Sequence, residues 1–482
     1  MNHRSQAANA LWTAAEAQAA TGGKVFGPSW TAFGIAIDTR SLVPGDLFIA
    51  IKAERDGHDF VADAFAKGAA AALVSDPSAG GAAGPRLVVD DTLFGLELLA
   101  NAARRRAEAA IRVGVTGSVG KTTVKEMTAS ALAASGTTHA AIKSFNNQWG
   151  VPLTLARCPA DARYAVYEIG MNHSGEIALL APQVRPHVAA ITTVGPVHIE
   201  HFANEAGICD AKAEMFLGIE QGGTAVINGD NPWAERLARR AGMRADLSVV
   251  RFGTKSESGA RLTDLVPDGS GQRASASILG KEVSWRIAEP GAHWALNGLC
   301  ALTLAHLAGG SLSAAGEALS VFGALDGRGA ARTVSLGDGS FTLVDEAYNA
   351  NPTSMAGAIA TLATRPGKRR IAVLGDMLEL GLHEARYHAA LVDELATRSI
   401  DAVYCAGPRM KHLWDVLPSA LKGGYAESAA DLAPMVCAAV AAGDVVMVKG
   451  SNGSRMSKVI EALVALGTTT TPSNLRESAR AV

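Results

Sequence analysis

Cysteine is scarce in this chain, and what there is has no useful spacing. Only five occur in 482 residues, Cys158, Cys209, Cys300, Cys405 and Cys437, and none forms the close pairs of a zinc site or redox dithiol. An odd, scattered set predicts reduced thiols in a cytosolic protein. An excess of charge of one sign is also missing: 44 Lys and Arg oppose 46 Asp and Glu, for a net −2. That balance excludes bulk attraction to nucleic acid or to an anionic membrane, so an anionic substrate must be held by local groups. No apolar run reaches the ~20 residues that cross a bilayer. The N-terminal stretch mixes charge with alanine and has no apolar core of a signal peptide. A cytoplasmic protein without a membrane span is expected. With no low-complexity segment or long apolar patch to demand a partner, a monomer is expected too.

What is present is enough for several packed cores. At 482 residues and 48% hydrophobic content the chain exceeds one core, and two to four domains are predicted. Residues 1–108 read as a small α/β module, with strands at 34–39, 46–51, 71–75 and 86–89 and helices at 59–68 and 92–107. Residues 109–327 alternate strands at 111–115, 164–169, 188–194 and 223–227 with helical stretches, one of them running 204–221. That rhythm predicts a mainly parallel sheet covered on both faces. Residues 328–468 begin after a flexible joint at 327–329 and repeat it as a doubly wound, Rossmann-like unit. Residues 469–482 lack apolar periodicity and are expected to be a disordered tail. The fold class is α/β in three domains.

The chemistry is most legible at GVTGSVGKTT, residues 114–123, set between an apolar strand and a helix. Glycines there let backbone N–H groups approach phosphates, and the helix N-terminus adds partial positive charge. Lys121 would reach the β- and γ-phosphates and the Thr122 hydroxyl would ligate Mg2+. The loop departs from the strict pattern in having Val115 where glycine is usual, with Gly114 one residue early. ATP or GTP binding is predicted for Thr116, Gly117, Ser118, Val119, Gly120, Lys121, Thr122 and Thr123. A GTPase switch would carry an Asn-Lys-x-Asp base-reading motif, and none is present.

Other segments join this loop in chain order. They are DTRSLVPGDLFIA at 38–50 with GHDF at 57–60, EIGMN at 168–172, NGD at 228–230, HWALN at 293–297, YNANPT at 348–353 and LGDMLELG at 374–381. Together they resemble the Mur ligase family from about Asp38 to Leu466, and within it the branch that adds a terminal dipeptide. The Asp-Asn-Pro-Arg signature of the diaminopimelate-adding branch is absent; DNPW at 230–233 lies in the wrong domain and ends differently. The resemblance implies a peptidoglycan-precursor ligase that joins D-alanyl-D-alanine to a UDP-N-acetylmuramoyl-tripeptide. ATP would drive it through an acyl phosphate, leaving ADP and phosphate. A sister ligase adding another amino acid or polyglutamate is the alternative.

The site residues follow from that likeness. Glu168, at a strand end, suits Mg2+, which prefers oxygen ligands. His198, with His201 as a nearby competitor, matches the family's metal-binding histidine, and two ions are implied. Lys212 adjoins an apolar stripe, where a snorkelling lysine is the ordinary explanation; the resemblance implies instead a carbamate formed with CO2. Lys121, Glu168, His198 and Lys212 make up the implied catalytic set. His293 and Asn297 are implied at the adenine, and Arg328, Asp345 and Asn349 at ATP when the domains close, although Arg328 also reads as part of a solvated linker. Asn351 is implied at the incoming amine, and Thr39, Arg40, Ser41 and Lys52 at the uridine diphosphate, where cations suit an anion. Asp376 and Glu379 have no settled role. The loop 449–455 reads equally as an anion cradle or as a tight turn.

Overall fold

The protein is described here by a computed structural model of residues 10–81, 84–269 and 271–470. Its backbone forms three main sheets. The first has five strands in the order Lys24–Phe26, Arg86–Val88, Ala71–Val74, Asp46–Ile49, Gly34–Ala36, all parallel except the first pair. The second has nine strands. From its far edge run Thr138–Ala140, Tyr164–Glu168, Ile111–Thr116, Val188–Ile191, Thr224–Asn228 and Ser248–Gly253, all parallel, and then Ala260–Asp268, Gly271–Ile278 and Lys281–Ile287. The last two of these are antiparallel additions.

Alternation along the central strands explains why both faces of this sheet are covered. Val113, Val115, Val166 and Val226 point into one core, beneath the helices Lys121–Ala133 and Ala292–Leu307. Ala165, Tyr167, Ala189 and Ile191 point into the other, with Leu180, Met215 and Phe216. The parallel order places the carboxyl ends of Ile111–Thr116, Tyr164–Glu168 and Val188–Ile191 side by side, where ligands of such sheets collect.

The third sheet is ordered Lys422–Ala426, Ala402–Ala406, Arg370–Gly375, Val445–Lys449, Gly339–Glu346, Ala330–Leu336, Thr468–Thr470. Its first five strands are parallel, and the last two are added antiparallel.

Four expectations need correction. The helix over 204–221 is two, Glu205–Ala213 and Met215–Gly218. Where they join, the Glu214 carboxylate accepts from the backbone N–H of Gly175 (2.8 Å) and Ala178 (3.0 Å) and so caps the helix Glu176–Val184. Gly218 packs so tightly on Ala181 that an added Cβ would lie 2.3 Å from its carbonyl carbon, which fixes the course of the second piece. The antiparallel strands between 260 and 287 were not anticipated; in Gly271–Ile278 the buried positions include Ala274 and Ala276 set among serines, although Lys281–Ile287 buries Val283, Trp285 and Ile287. Strand Ala330–Leu336 was likewise missed. Finally, Thr469 and Thr470, assigned to the tail, pair with Val334 and Thr333. Residues 471–482 lie outside the described residues.

The first unit is tied to the second at the end of the helix Gly150–Ala156. The Trp12 indole donates to the Ala156 carbonyl (2.9 Å). Arg106 donates to Leu11 (2.6 Å) and Cys158 (3.1 Å), and Arg157 reaches back to the Ile35 carbonyl (2.8 Å). Among the described residues no helix is long and apolar enough to cross a membrane.

Candidate active site

The loop 117–120 leaves the buried strand Ile111–Thr116 and enters the helix Lys121–Ala133. Two of its residues need glycine. Gly117 has φ 149° and Gly120 φ 86°, and a Cβ on Gly117 would lie 2.0 Å from Thr192 Oγ1. The close approach is used: Ser118 N–H donates to the Thr193 carbonyl (2.8 Å), Ser118 Oγ to that of Gly195 (3.0 Å), and Thr192 Oγ1 to that of Val119 (2.6 Å). The neighbouring strand end thus fixes the loop. The Lys121 ammonium donates to the Gly117 carbonyl (2.7 Å), and burial lowers its pKa. Thr116 Oγ1 is buried without a partner among the described residues, and Thr123 is 7% exposed.

Beside the loop, the Thr122 hydroxyl donates to Glu168 Oε2 at 2.8 Å. Glu168 is 1% exposed, yet both its oxygens are engaged, because Asn146 Nδ2 donates to Oε1 (2.7 Å). Ser144 Oγ lies 3.0 Å from Thr122 Oγ1 and accepts from Arg328 Nη2 (3.2 Å), whose guanidinium stacks 4.0 Å over the Tyr348 ring. Thr122 and Arg328, both expected at ATP, therefore meet through one serine. Oxygen donors from Thr122 and Glu168 in this pairing fit a hard divalent cation such as Mg2+.

The second half of the expected metal site is arranged differently. His198, at φ 56°, hydrogen-bonds through Nδ1 to Glu379 of the third unit, itself at φ 62°. Among the described residues no group of three or more His, Cys, Asp or Glu is set to hold a metal. The His201 ring instead lies 4.3 Å from that of His173. Lys212 is buried, 2% exposed, near the end of the helix Glu205–Ala213. Burial first, and the Lys121 charge second, push its pKa well below the ordinary lysine value.

The remaining expected residues fall into two groups. His293 and Asn297 stand one turn apart on the helix Ala292–Leu307, and Asn297 Oδ1 would lie 2.8 Å from a Cβ on Gly120, so this face abuts the phosphate loop. Asp345 is buried, which raises its pKa, and accepts from Arg332 (3.4 Å) and Ala347 N–H (3.1 Å). The Asn349 carbonyl accepts from the buried ammonium of Lys449 (2.9 Å). Asn351 caps the helix Pro352–Thr364 by accepting from Ser354 N–H (2.9 Å). Loop 449–455 closes on itself as a turn, Ser454 Oγ donating to the Ser451 carbonyl (2.6 Å).

In the first unit, exposed Arg40 pairs with Asp38 at 2.5 Å, and Ser41 donates to the Asp38 carbonyl (3.2 Å). The Thr39 carbonyl accepts from Lys67 (3.2 Å), and Lys52 is exposed.

Three family models match in succession: the Mur ligase family catalytic domain over 32–107, the Mur ligase middle domain over 115–305 and the Mur ligase glutamate ligase domain over 331–452. The UDP-N-acetylmuramoyl-tripeptide–D-alanyl-D-alanine ligase of Escherichia coli (strain K12) is 34% identical over 463 residues, covering 92% of this chain and 97% of its own. The chain belongs to the Mur ligase family. A ligase of the same name from Bacillus subtilis (strain 168) is 32% identical over 444 residues, spanning 89% of this chain and 93% of its own. Among solved structures, a crystal structure of MurF from Acinetobacter baumannii superposes with TM-score 0.82 at 28% identity, covering 94% of this chain and 99% of that one.

For this Mur ligase, reading the sequence missed Ser144 and Asn146, the residues that touch Thr122 and Glu168. They lie in an irregular loop between Thr138–Ala140 and Gly150–Ala156, where no periodicity marks them. Glu379, left without a role, is the residue that holds His198.

Proposed function

We propose that this Mur ligase joins D-alanyl-D-alanine to a UDP-N-acetylmuramoyl-tripeptide with ATP, in cytoplasmic peptidoglycan precursor synthesis. The observation that carries the reading is the glycine loop with the Thr122–Glu168 pair at its mouth, in a chain that aligns over 97% of a ligase so named.

A carboxylate is a poor acylating agent because its leaving group is poor. Transfer of the γ-phosphoryl to it gives an acyl phosphate, which the dipeptide amine attacks with loss of phosphate. Such a transfer is accelerated mainly by positioning and opposing charge. Residues 116–123 cradle the triphosphate, with Lys121 at its outer phosphates; His293 and Asn297 flank the adenine, and Arg328, Asp345 and Asn349 reach the nucleotide from the third unit. Thr122 and Glu168 would hold Mg2+, which supplies charge neutralisation to the phosphates; His198 and a carbamate on Lys212 would serve a second ion. Burial favours Lys212 as the neutral amine that takes up CO2. Thr39, Arg40, Ser41 and Lys52 bind the uridine diphosphate, and Asn351 lies by the incoming amine. Divided among units 1–108, 109–327 and 328–468, the site works as a monomer that closes around its substrates and excludes water from the acyl phosphate.

The test is phosphate release with ATP, Mg2+ and both substrates. Turnover should need the dipeptide and the UDP-linked tripeptide together, and the product should gain the dipeptide less one water. Turnover with a single amino acid or with polyglutamate instead would assign a sister ligase. A wild-type protein that binds no nucleotide with Mg2+, or a fully active Lys121→Ala, would remove the reading altogether.

A further inference from the structure

One buried cation has no part in the reaction as derived. Lys125, one turn beyond Lys121 on the helix Lys121–Ala133, is 0% exposed. A buried ammonium is tolerated only where its donors are taken up, and the acceptors here are informative. Its Nζ donates to the carbonyls of Ala141 (2.6 Å) and Lys143 (3.0 Å) and pairs with Glu126. Both carbonyls belong to the irregular loop that carries Ser144 and Asn146, whose side chains meet Thr122 and Glu168.

The tether sits where the loop is under strain. Lys143 is exposed and has φ 56°, a left-handed conformation unfavourable for a residue with a Cβ. Immediately after it the chain turns Ser144 toward Thr122. Further on, the Asn146 carbonyl accepts from Gly170 N–H (2.8 Å), and Gly170 has no room for a side chain, since a Cβ would lie 2.8 Å from Asn146 Cγ. The loop is thus pinned at Lys143 by Lys125 and at Asn146 by Gly170, with Ser144 between the pins and Asn146 at the second.

We propose that Lys125 is a positioning residue for the nucleotide site: by holding the Ala141 and Lys143 carbonyls it keeps Lys143 left-handed, and so sets Ser144 on Thr122 and Asn146 on Glu168. Lys125 reaches the nucleotide only through that loop. The inference rests on the ATP-dependent reading above.

The experiment measures equilibrium binding of ADP with Mg2+, the KM for each substrate, and thermal stability, in the full chain. Lys125→Met removes the tether while keeping the volume. It should weaken nucleotide binding about tenfold or more and raise the KM for ATP, leaving the KM for D-alanyl-D-alanine unchanged. Adding Lys143→Gly, which makes a left-handed residue inexpensive, should restore a good part of that loss. Lys143→Val tests the same link from the surface, should Lys125→Met fail to fold, because a β-branched residue resists φ > 0; it should weaken binding with little change in thermal stability. If the wild type binds nucleotide and either Lys125→Met or Lys143→Val binds it equally well, the proposal is wrong. It is equally wrong if Lys125→Met loses affinity that Lys143→Gly does not restore, or if the loss falls alike on all substrates. A wild type without nucleotide affinity would instead defeat the underlying reading.

Discussion

Thr122 and Glu168 share a hydrogen bond of 2.8 Å although 46 residues separate them in sequence. The first lies in the opening turn of the helix that follows Ile111–Thr116 and the second ends the parallel strand beside it, so the sheet itself brings hydroxyl and carboxylate together. Removing the charge but not the shape should separate binding from catalysis. Glu168→Gln is expected to lower kcat by about 10²–10³-fold, the scale seen when one electrostatic stabiliser is lost, and to raise the Mg2+ concentration for half-maximal rate. Steady-state rates across a magnesium titration check this. A normal magnesium dependence in the variant would exclude Glu168 as a ligand.

Gly117 offers a purely steric test. Alanine there must accept φ 149° and place a methyl group 2.0 Å from Thr192 Oγ1. The expected cost is about 1–3 kcal/mol of stability, the usual penalty for overpacking, with loss of nucleotide binding. Denaturant midpoints and nucleotide titration of Gly117→Ala measure both; wild-type affinity would show that the loop is freer than its contacts suggest.

For Lys212, the prediction is chemical rescue. Lys212→Ala should be nearly inactive and regain rate when a short-chain carboxylate is supplied, while the wild type should slow in CO2-depleted buffer and recover with bicarbonate. An unmodified, charged lysine in a crystal of the liganded enzyme grown with bicarbonate would count against the carbamate.

His139 makes stability depend on pH. Its ring is bonded to the Thr154 carbonyl (2.8 Å), and burial lowers its pKa from 6.5 to about 4. The unfolded chain therefore binds the proton first as pH falls. The neutral ring's contribution is fully present above pH 6.5 and is lost progressively down to about pH 4, by up to about 3 kcal/mol at 1.36 kcal/mol per pH unit. Urea unfolding at pH 7.5 and pH 4.5 should show this fall in the wild type and a smaller one in His139→Gln. Equal falls would mean that other groups carry it.

Much of this was legible from residue order. The glycine loop, the strand ends beneath Glu168 and His198 and the three α/β units all follow from apolar runs broken by polar turns. What stayed hidden has physical reasons. Ala274 and Ala276 bury too little apolar surface to announce a strand among serines. Glu214 stands at the joint of a stretch that reads as one helix, and its carboxylate caps a different helix, a tertiary contact invisible in local spacing. Ser144 and Asn146 became readable only once the loop around them was closed by Lys125 and Gly170. Asn351 shows the reverse: the motif suggested a ligand contact, and the fold also gives its side-chain carbonyl to a helix cap.

The bonds from Trp12 and Arg106 to the Ala156 and Cys158 carbonyls, and from Arg157 back to Ile35, set a fixed span between the expected sugar-nucleotide anchor and the glycine loop. A substrate moored at one end must then present its reacting carboxylate at a set distance along its stem. The protein would work as a ruler, turning away precursors one residue too short before any chemistry begins.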